Sequence, residues 1–476
     1  MQVVILIAFI LALVLQTAQG AALPWPLLLG GIGAYLGVAA GLSWLLATWS
    51  LRAMNQPQAD LTRILRRRNL LYSLILAYLL GGLAGLTLLG LGPWTAQGLL
   101  GRIPLVGKVL LVLPCMVAVL LTWVTGYRFY RELRSRLAQR EIASGAMPLP
   151  VWTFSQYLGY NIRHQLLFIL VPLSLMILAQ DLLTLAQELL GPYLGPLLPA
   201  TPAWEYLLLG LRAAVALGAF FVVPPLIVRV WRTEPLEQGA LRADLEDLCR
   251  RLRLRYRDIL VWRSAGAIAN AGVMGLAGSV RYILLSDALL ERLDPQEIKS
   301  IFAHEAGHVI GHHLFYSALF AIVSVTACSL IAELLAWRLR LGDLATQIIS
   351  LLLLGLVWLL AFGWLSRRFE RHSDVVAAWV PGNLTDAPGG QAISPEGAAL
   401  FAKALHHVAQ LGGIAPSQFN WRHGSIDSRI RYILWLGSSG GTRRAIDRTV
   451  RRAKLALWLS LAALAVATAV VVAQIG

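Results

Sequence analysis

Charge is scarce in this chain. Only 14% of its 476 residues are Asp, Glu, Lys or Arg, against about a quarter in ordinary soluble domains. That shortage excludes a water-exposed globular protein of this length, and a mean hydropathy of +0.66 agrees. Acidic residues are the scarcer sign, 25 against 41 basic, for a formal charge of +16. A basic excess can mark a nucleic-acid binder. In an apolar chain it is better explained by basic residues gathering in cytoplasmic loops, so no nucleic acid is expected. Cysteine is nearly absent: Cys115, Cys249 and Cys328 are an odd number with no metal-type spacing. No disulfide framework or thiolate metal site follows from them.

What the chain has in abundance is long apolar runs. A membrane span needs about 20 mostly apolar residues, and nine such runs are expected: 2–19, 27–49, 70–92, 104–125, 164–183, 206–230, 314–336, 344–365 and 455–474. The first lacks the basic start of a secretory signal, so it is expected to be retained, although "TAQGAA" after it would suit cleavage. Lys and Arg number five in 50–69, six in 126–165, eleven in 231–313 and thirteen in 366–454. The alternate loops are poor: Arg102, then none in 184–205, then Arg338 and Arg340. The positive-inside rule then puts 231–313 and 366–454 on the cytoplasmic side. Asp181, Arg212 and Glu333, near the ends of their spans, read as snorkelling or paired structural groups.

Between the spans the pattern changes. "DILVWRS" and "VRYILLS" are β-rich. In "LDPQEIKSIFAHEAGHV" a helix begins: Asp294 can cap it, Pro295 suits its first position and Glu297 completes a capping box. His304, Glu305 and His308 form HExxH on that helix. Positions i and i+4 share a face, so both imidazoles can reach one metal ion, with Glu305 beside them as the base for a water.

A third ligand must come from elsewhere. On an unbroken helix, His312 lies about 12 Å along the axis from His304 and roughly 80° around it. A break at Gly311, as in HExxHxxGxxH, would need histidine at 314, where Leu314 stands. Sixty-six residues after His304, "SRRFERHSDVVAAW" places Glu370 and Asp374 at i and i+4. Glu370 can ligate zinc, and Asp374 can accept the outer N–H of a ligating histidine. Two His, one Glu and an open fourth position make a catalytic zinc arrangement, so one Zn2+ per chain is expected.

These segments resemble the HtpX-like membrane metalloproteases and the CAAX prenyl endopeptidases, which are of gluzincin type, over roughly residues 240–435. "NAGVMGLAGSVRYILLSDALLERLDPQEIKSIFAHEAGH" resembles the family's strand, glycine turn, second strand and zinc helix. "GHH" resembles its further histidine, matched to His312, and "SRRFERHSD" its second ligand helix, with Ser373 for the usual alanine. "HGSIDSRIRYI" resembles a later segment, with Gly424 where proline is expected. The resemblance implies that His423 or Arg429 stabilises an oxyanion and that Asn270 bonds near the scissile peptide. "AIANAGVMG", 267–275, reads as a weak strand; at a sheet edge, its backbone at Ala271 could pair with an extended substrate.

The expected fold is mainly α: a polytopic helical membrane protein of about nine spans, with a small α+β zincin-type catalytic domain at the cytoplasmic face. Expected boundaries are an N-terminal membrane region 1–235, a first catalytic half 236–313, a two-span hairpin 314–365, a second half 366–453 and a last span 454–476. The expected activity is hydrolysis of peptide bonds in membrane or membrane-associated proteins, in a bacterial inner membrane. Partners are a peptide or protein substrate and the bilayer; no oligomeric state follows from the sequence. The alternative is a non-proteolytic scaffold or transporter with a vestigial zincin domain. A site-two-type protease would need an aspartate ligand from a later span, and 344–365 and 455–474 contain none.

Overall fold

The computed structural model of the chain describes residues 2–16, 23–57, 59–97, 101, 103–143, 148–194, 202–266, 268–383 and 392–475. They fall into two compact units, Met1–Trp231 and Arg232–Gly476. The described residues of the first unit form helices: α1 Gln2–Gln16, α2 Trp25–Met54, α3 Leu61–Leu86, α4 Gly92–Gln97, α5 Val106–Ala143, α6 Phe154–Asn161, α7 Phe168–Leu194 and α8 Pro202–Val230. Short π-helical segments join α3 to α4 and α6 to α7.

Among the described residues eight helices, not nine, are long and apolar enough to cross a membrane, five in the first unit and three in the second. The ninth expected run, 2–19, is described only over the 15 residues of α1. Ile5, Ala8, Phe9 and Ala12, spaced for one helical face, are fully buried in the unit's core. Ile7 and Ile10, off that face, are exposed. Residues 17–22, with the candidate cleavage site, lie outside the described residues. The ionisable groups in this unit are paired as expected: Asp181 with Lys108, and Arg212 with Gln187 at 2.7 Å.

The second unit runs β1 Thr233–Pro235, α9 Ala240–Arg251, β2 Asp258–Trp262, β3 Ala271–Met274, β4 Tyr282–Ser286, α10 Asp287–Arg292, α11 Pro295–Ile310, α12 His313–Leu339, α13 Asp343–Val357, α14 Gly363–Asn383, α15 Pro395–Leu411, α16 Ile426–Ser438 and α17 Arg444–Ile475. A π-helical segment, Trp358–Phe362, makes α13 and α14 continuous. The sheet has the order β1-β2-β4-β3. The mainly apolar β2 and β4 pair in parallel at its centre, and the glycine-containing β3 lies antiparallel at the edge, as its weak composition led us to expect.

The start of α11 follows its capping residues. Asp294 accepts from the Glu297 amide while Glu297 reaches back to the Asp294 amide, with Pro295 in the first turn. Ile298, Ile301 and Phe302 on the next turns are buried in the core of the unit. Burial of each is worth about 1.5–3 kcal/mol. This apolar face holds α11 against the sheet and α14. The two helices meet closely at Gly307, where a Cβ would stand 2.9 Å from Cα of Ser373. Gly307→Ala is therefore expected to destabilise the protein by about 1–3 kcal/mol through overpacking, read as a lower thermal midpoint of the detergent-solubilised chain. Ser373→Ala removes an atom from the same contact and should not. An unchanged midpoint in Gly307→Ala would mean that the helices do not approach so closely.

Candidate metal centre

The contact between α11 and α14 brings three donors to one point. Nε2 of His304 and Nε2 of His308 stand 3.3 Å apart. The carboxylate of Glu370 lies 3.7 Å from the first and 3.6 Å from the second. Four donors placed tetrahedrally at 2.0–2.1 Å from a zinc ion lie about 3.3–3.4 Å from one another. The set therefore fits a divalent cation with only small adjustment, and a fourth position remains open toward a cavity. The expected trio is the group of His, Cys, Asp and Glu found to converge among the described residues.

The outer side of the site is as specific as the inner. Asp374, fully buried, places Oδ1 3.0 Å from Nδ1 of His304, although the ring N–H is not well aligned with it. Arg429, from α16, holds Asp374 with Nε at 2.9 Å and a second nitrogen at 2.5 Å, and stands 3.4 Å from Glu370. Burial alone would depress the His304 imidazole, but the bond to Asp374 and its charge outweigh burial and raise it. Burial pushes His308 down to about 3, so its ring is neutral, as a ligand must be. Burial also raises the Glu305 carboxyl above its ordinary range, against the opposing pull of His304. In Arg429 the adjacent carboxylates overcome burial and hold the guanidinium charged.

A cavity of about 470 Å3 opens beside the donors, and its lining includes Asn270, Ala271, Glu305, His423 and Arg429. All nine residues singled out from sequence thus lie in or against one site. Their parts differ in detail. His423 is 44% exposed and puts Nδ1 2.9 Å from Glu370. Two nitrogens of Arg429 are bonded to Asp374, while its remaining nitrogen lies 3.4 Å from Glu370. Oδ1 of Asn270 accepts from the Ala271 amide at 2.9 Å, while the Asn270 backbone carbonyl accepts from Ser286 at 3.0 Å. In an antiparallel ladder outward and inward residues alternate, so Ala271 faces the free edge.

One histidine was misread. The helix does break at Gly311, with His312 in the left-handed region at φ 52°, but the exposed His312 carries nothing to the site. The break turns His313 back, and its Nδ1 meets Nδ1 of His308 at 3.0 Å. Gly311 leaves room for that ring, since a Cβ there would come within 2.2 Å of it. The sequence carried the signal, two adjacent histidines after a glycine. His372 and Asp447, which continue from His313, had no signal of their own.

Residues 235–388 match the profile of Peptidase family M48. The match spans the zinc-helix motif and Glu370 and ends before His423. Protease HtpX of Chromohalobacter salexigens is 30% identical over 129 residues, 24% of this chain and 43% of that protein. The Protease HtpX homolog of Aeropyrum pernix is 29% identical over 188 residues, 36% of this chain and 57% of its own. The chain thus spans about half the length of these relatives. The crystal structure of S. mikatae Ste24p aligns with 87% of this chain and 99% of its own at 15% identity, with a TM-score of 0.38, a likeness too weak to argue from. The resemblance read from the zinc helix and the Glu370 helix is matched by the family profile and the HtpX relatives: over residues 235–388 this polytopic membrane chain is similar to Peptidase family M48 and to HtpX proteases.

Proposed function

We propose that the protein is a membrane-embedded zinc endopeptidase acting on peptide bonds of membrane or membrane-associated proteins. The observation that carries this reading is the convergence of Nε2 of His304, Nε2 of His308 and the Glu370 carboxylate beside a cavity lined by Glu305 and an edge strand. Zinc held there would act as a Lewis acid toward the scissile carbonyl and acidify a water. Glu305, its basicity raised by burial, takes the water's proton and passes it to the leaving amine. His423, half-exposed on the cavity wall, is placed to donate to a developing oxyanion. Asp374 and Arg429 keep His304 oriented. The basic loops argue for this site on the cytoplasmic face of a bacterial inner membrane. A vestigial domain in a scaffold or transporter is the weaker reading, because ligands, base and orienting carboxylate are all retained together.

Substrate binding follows from the sheet. The unpaired edge of β3 offers the Ala271 amide and carbonyl to an extended peptide, and the Asn270 side chain holds that amide until a peptide displaces it. Main-chain pairing of this kind suits broad specificity.

Three measurements test these statements. The purified chain should bind one zinc, His308→Ala and Glu370→Ala should lose it, and His312→Ala should keep it. Full zinc in Glu370→Ala with loss in His312→Ala would overturn the ligand set. Glu305→Gln should retain zinc while cleavage of an unfolded protein substrate falls at least about 100-fold, within the usual range for an acid–base group. Wild-type cleavage in that variant removes Glu305 from the mechanism. Ala271→Pro deletes an outward donor without removing a ladder bond, and should lower kcat/KM about tenfold or more with zinc still bound. Asn270→Ala frees the same amide and tests whether the side chain contributes to substrate binding. Unchanged efficiency in a folded, zinc-loaded Ala271→Pro chain would rule out pairing at this edge.

A further inference from the structure

His304 has a carboxylate behind its outer nitrogen, but His308 does not. Nδ1 of His308 meets Nδ1 of His313 at 3.0 Å. Nε2 of His313 meets Nδ1 of His372 at 3.1 Å. Nε2 of His372 then stands 3.1 Å from Oδ1 of Asp447. Three imidazoles in series thus connect a donor of the metal set on α11 to a carboxylate in the first turn of α17. His313 and His372 are buried, 3% and 6% exposed. The His313 ring lies flat on Phe369, with centroids 4.2 Å apart and planes 7° apart. Oδ2 of Asp447 accepts from Arg443 at 3.1 Å, while the buried Oδ1 has no well-aligned hydrogen-bond donor among the described residues, the nearby His372 Nε2 included.

A neutral imidazole donates from one nitrogen and accepts at the other, so a chain of them has a direction. An ionised carboxylate only accepts. With Asp447 at the end, His372 must carry its proton on Nε2 and leave Nδ1 bare. His313 then donates from Nε2 to that nitrogen and leaves its own Nδ1 bare. His308 in turn donates from Nδ1, and its Nε2 is left as a lone pair aimed between His304 and Glu370. Reversed, the chain would put a proton on Nε2 of His308, where no metal could bind. One boundary condition fixes all three tautomers. Oγ of Ser373 stands 3.5 Å from Nδ1 of His313, at the limit of hydrogen bonding.

We propose that Asp447, His372 and His313 are positioning residues that hold His308 in its metal-binding tautomer through this hydrogen-bonded relay. The proposal rests on the reading of His308 as a ligand. It makes α17 part of the metal site, although α17 supplies none of the three donors. Orienting groups of this kind typically change metal affinity by about 10–100-fold.

The test is the zinc affinity of the full detergent-solubilised chain, by competition with a chelator of known affinity, alongside the visible spectrum of the Co(II)-loaded protein. His372→Leu and Asp447→Ala should each weaken zinc about 10-fold or more and alter the Co(II) spectrum. His372→Gln should stay within about threefold of wild type, because its amide oxygen can accept from His313 and its amide N–H can donate to Asp447. Packing alone would treat glutamine and leucine alike, so equal losses in the two His372 variants overturn the relay. Wild-type affinity in His372→Leu or in a folded Asp447→Ala chain overturns it as well. Failure of Asp447→Ala to fold leaves the His372 pair decisive. Undiminished affinity in His308→Ala would instead overturn the ligand assignment beneath the proposal, a distinguishable result.

Discussion

The site depends on how closely two helices approach. His304 and His308 come from α11 and Glu370 from α14, and their donors converge because Gly307 lets α11 rest on the backbone at Ser373. Helix axes usually lie about 8–10 Å apart, set by the side chains at the contact. A larger residue at Gly307 would move Glu370 away from both imidazoles by a fraction of an ångström or more. Metal geometry tolerates only about 0.2 Å of such error. The capping box, the apolar face of α11 and the sheet beneath it all serve this one distance.

The same contact gathers charge that would be costly without a cation. Glu305, Glu370 and Asp374 face one guanidinium, that of Arg429, while the burial of His308 keeps its ring neutral. Moving an ion out of water costs several kcal/mol after relaxation, and pairing recovers this only with good geometry. Arg429 pairs closely with Asp374 and more loosely with Glu370. A divalent cation between the donors would balance the remainder.

How much of this could be read in the sequence followed the range of each interaction. HExxH and the Glu370–Asp374 pair are single-helix patterns, and spacing alone predicted the shared faces that the structure has. The capping box at Asp294 and the edge position of β3 were legible for the same reason. Composition cannot say whether an apolar face meets lipid or protein; in α1, Ile5 and Phe9 meet protein while Ile7 and Ile10 are exposed. The further histidine matched to His312 is displaced by one residue, to His313, because the chain turns at His312. A non-glycine residue in the left-handed region is uncommon, and His312 adopts it. His372 and Asp447 were silent because their contacts join separate elements at distances no local pattern encodes.

The three apolar helices of the second unit explain why a metal site should be built next to membrane spans at all. His313 is the first residue of α12, Glu370, His372 and Asp374 lie toward the end of the continuous α13–α14 helix, and Asp447 is in the first turn of α17. Chain direction alternates through these helices, so the start of one, the end of the next and the start of the third fall at one end of the bundle. Each helix runs for 26 residues or more. A ligand or orienting group on the extension of such a helix inherits its position from the whole span, whereas a loop would leave it free to wander. The two halves of the site, separated in sequence by the α12–α13 hairpin, are brought together by that hairpin rather than interrupted by it. A site held in this way lies at one end of three helices long and apolar enough to cross a membrane, which is where the proposed substrate, a peptide held at a membrane surface, would have to reach it.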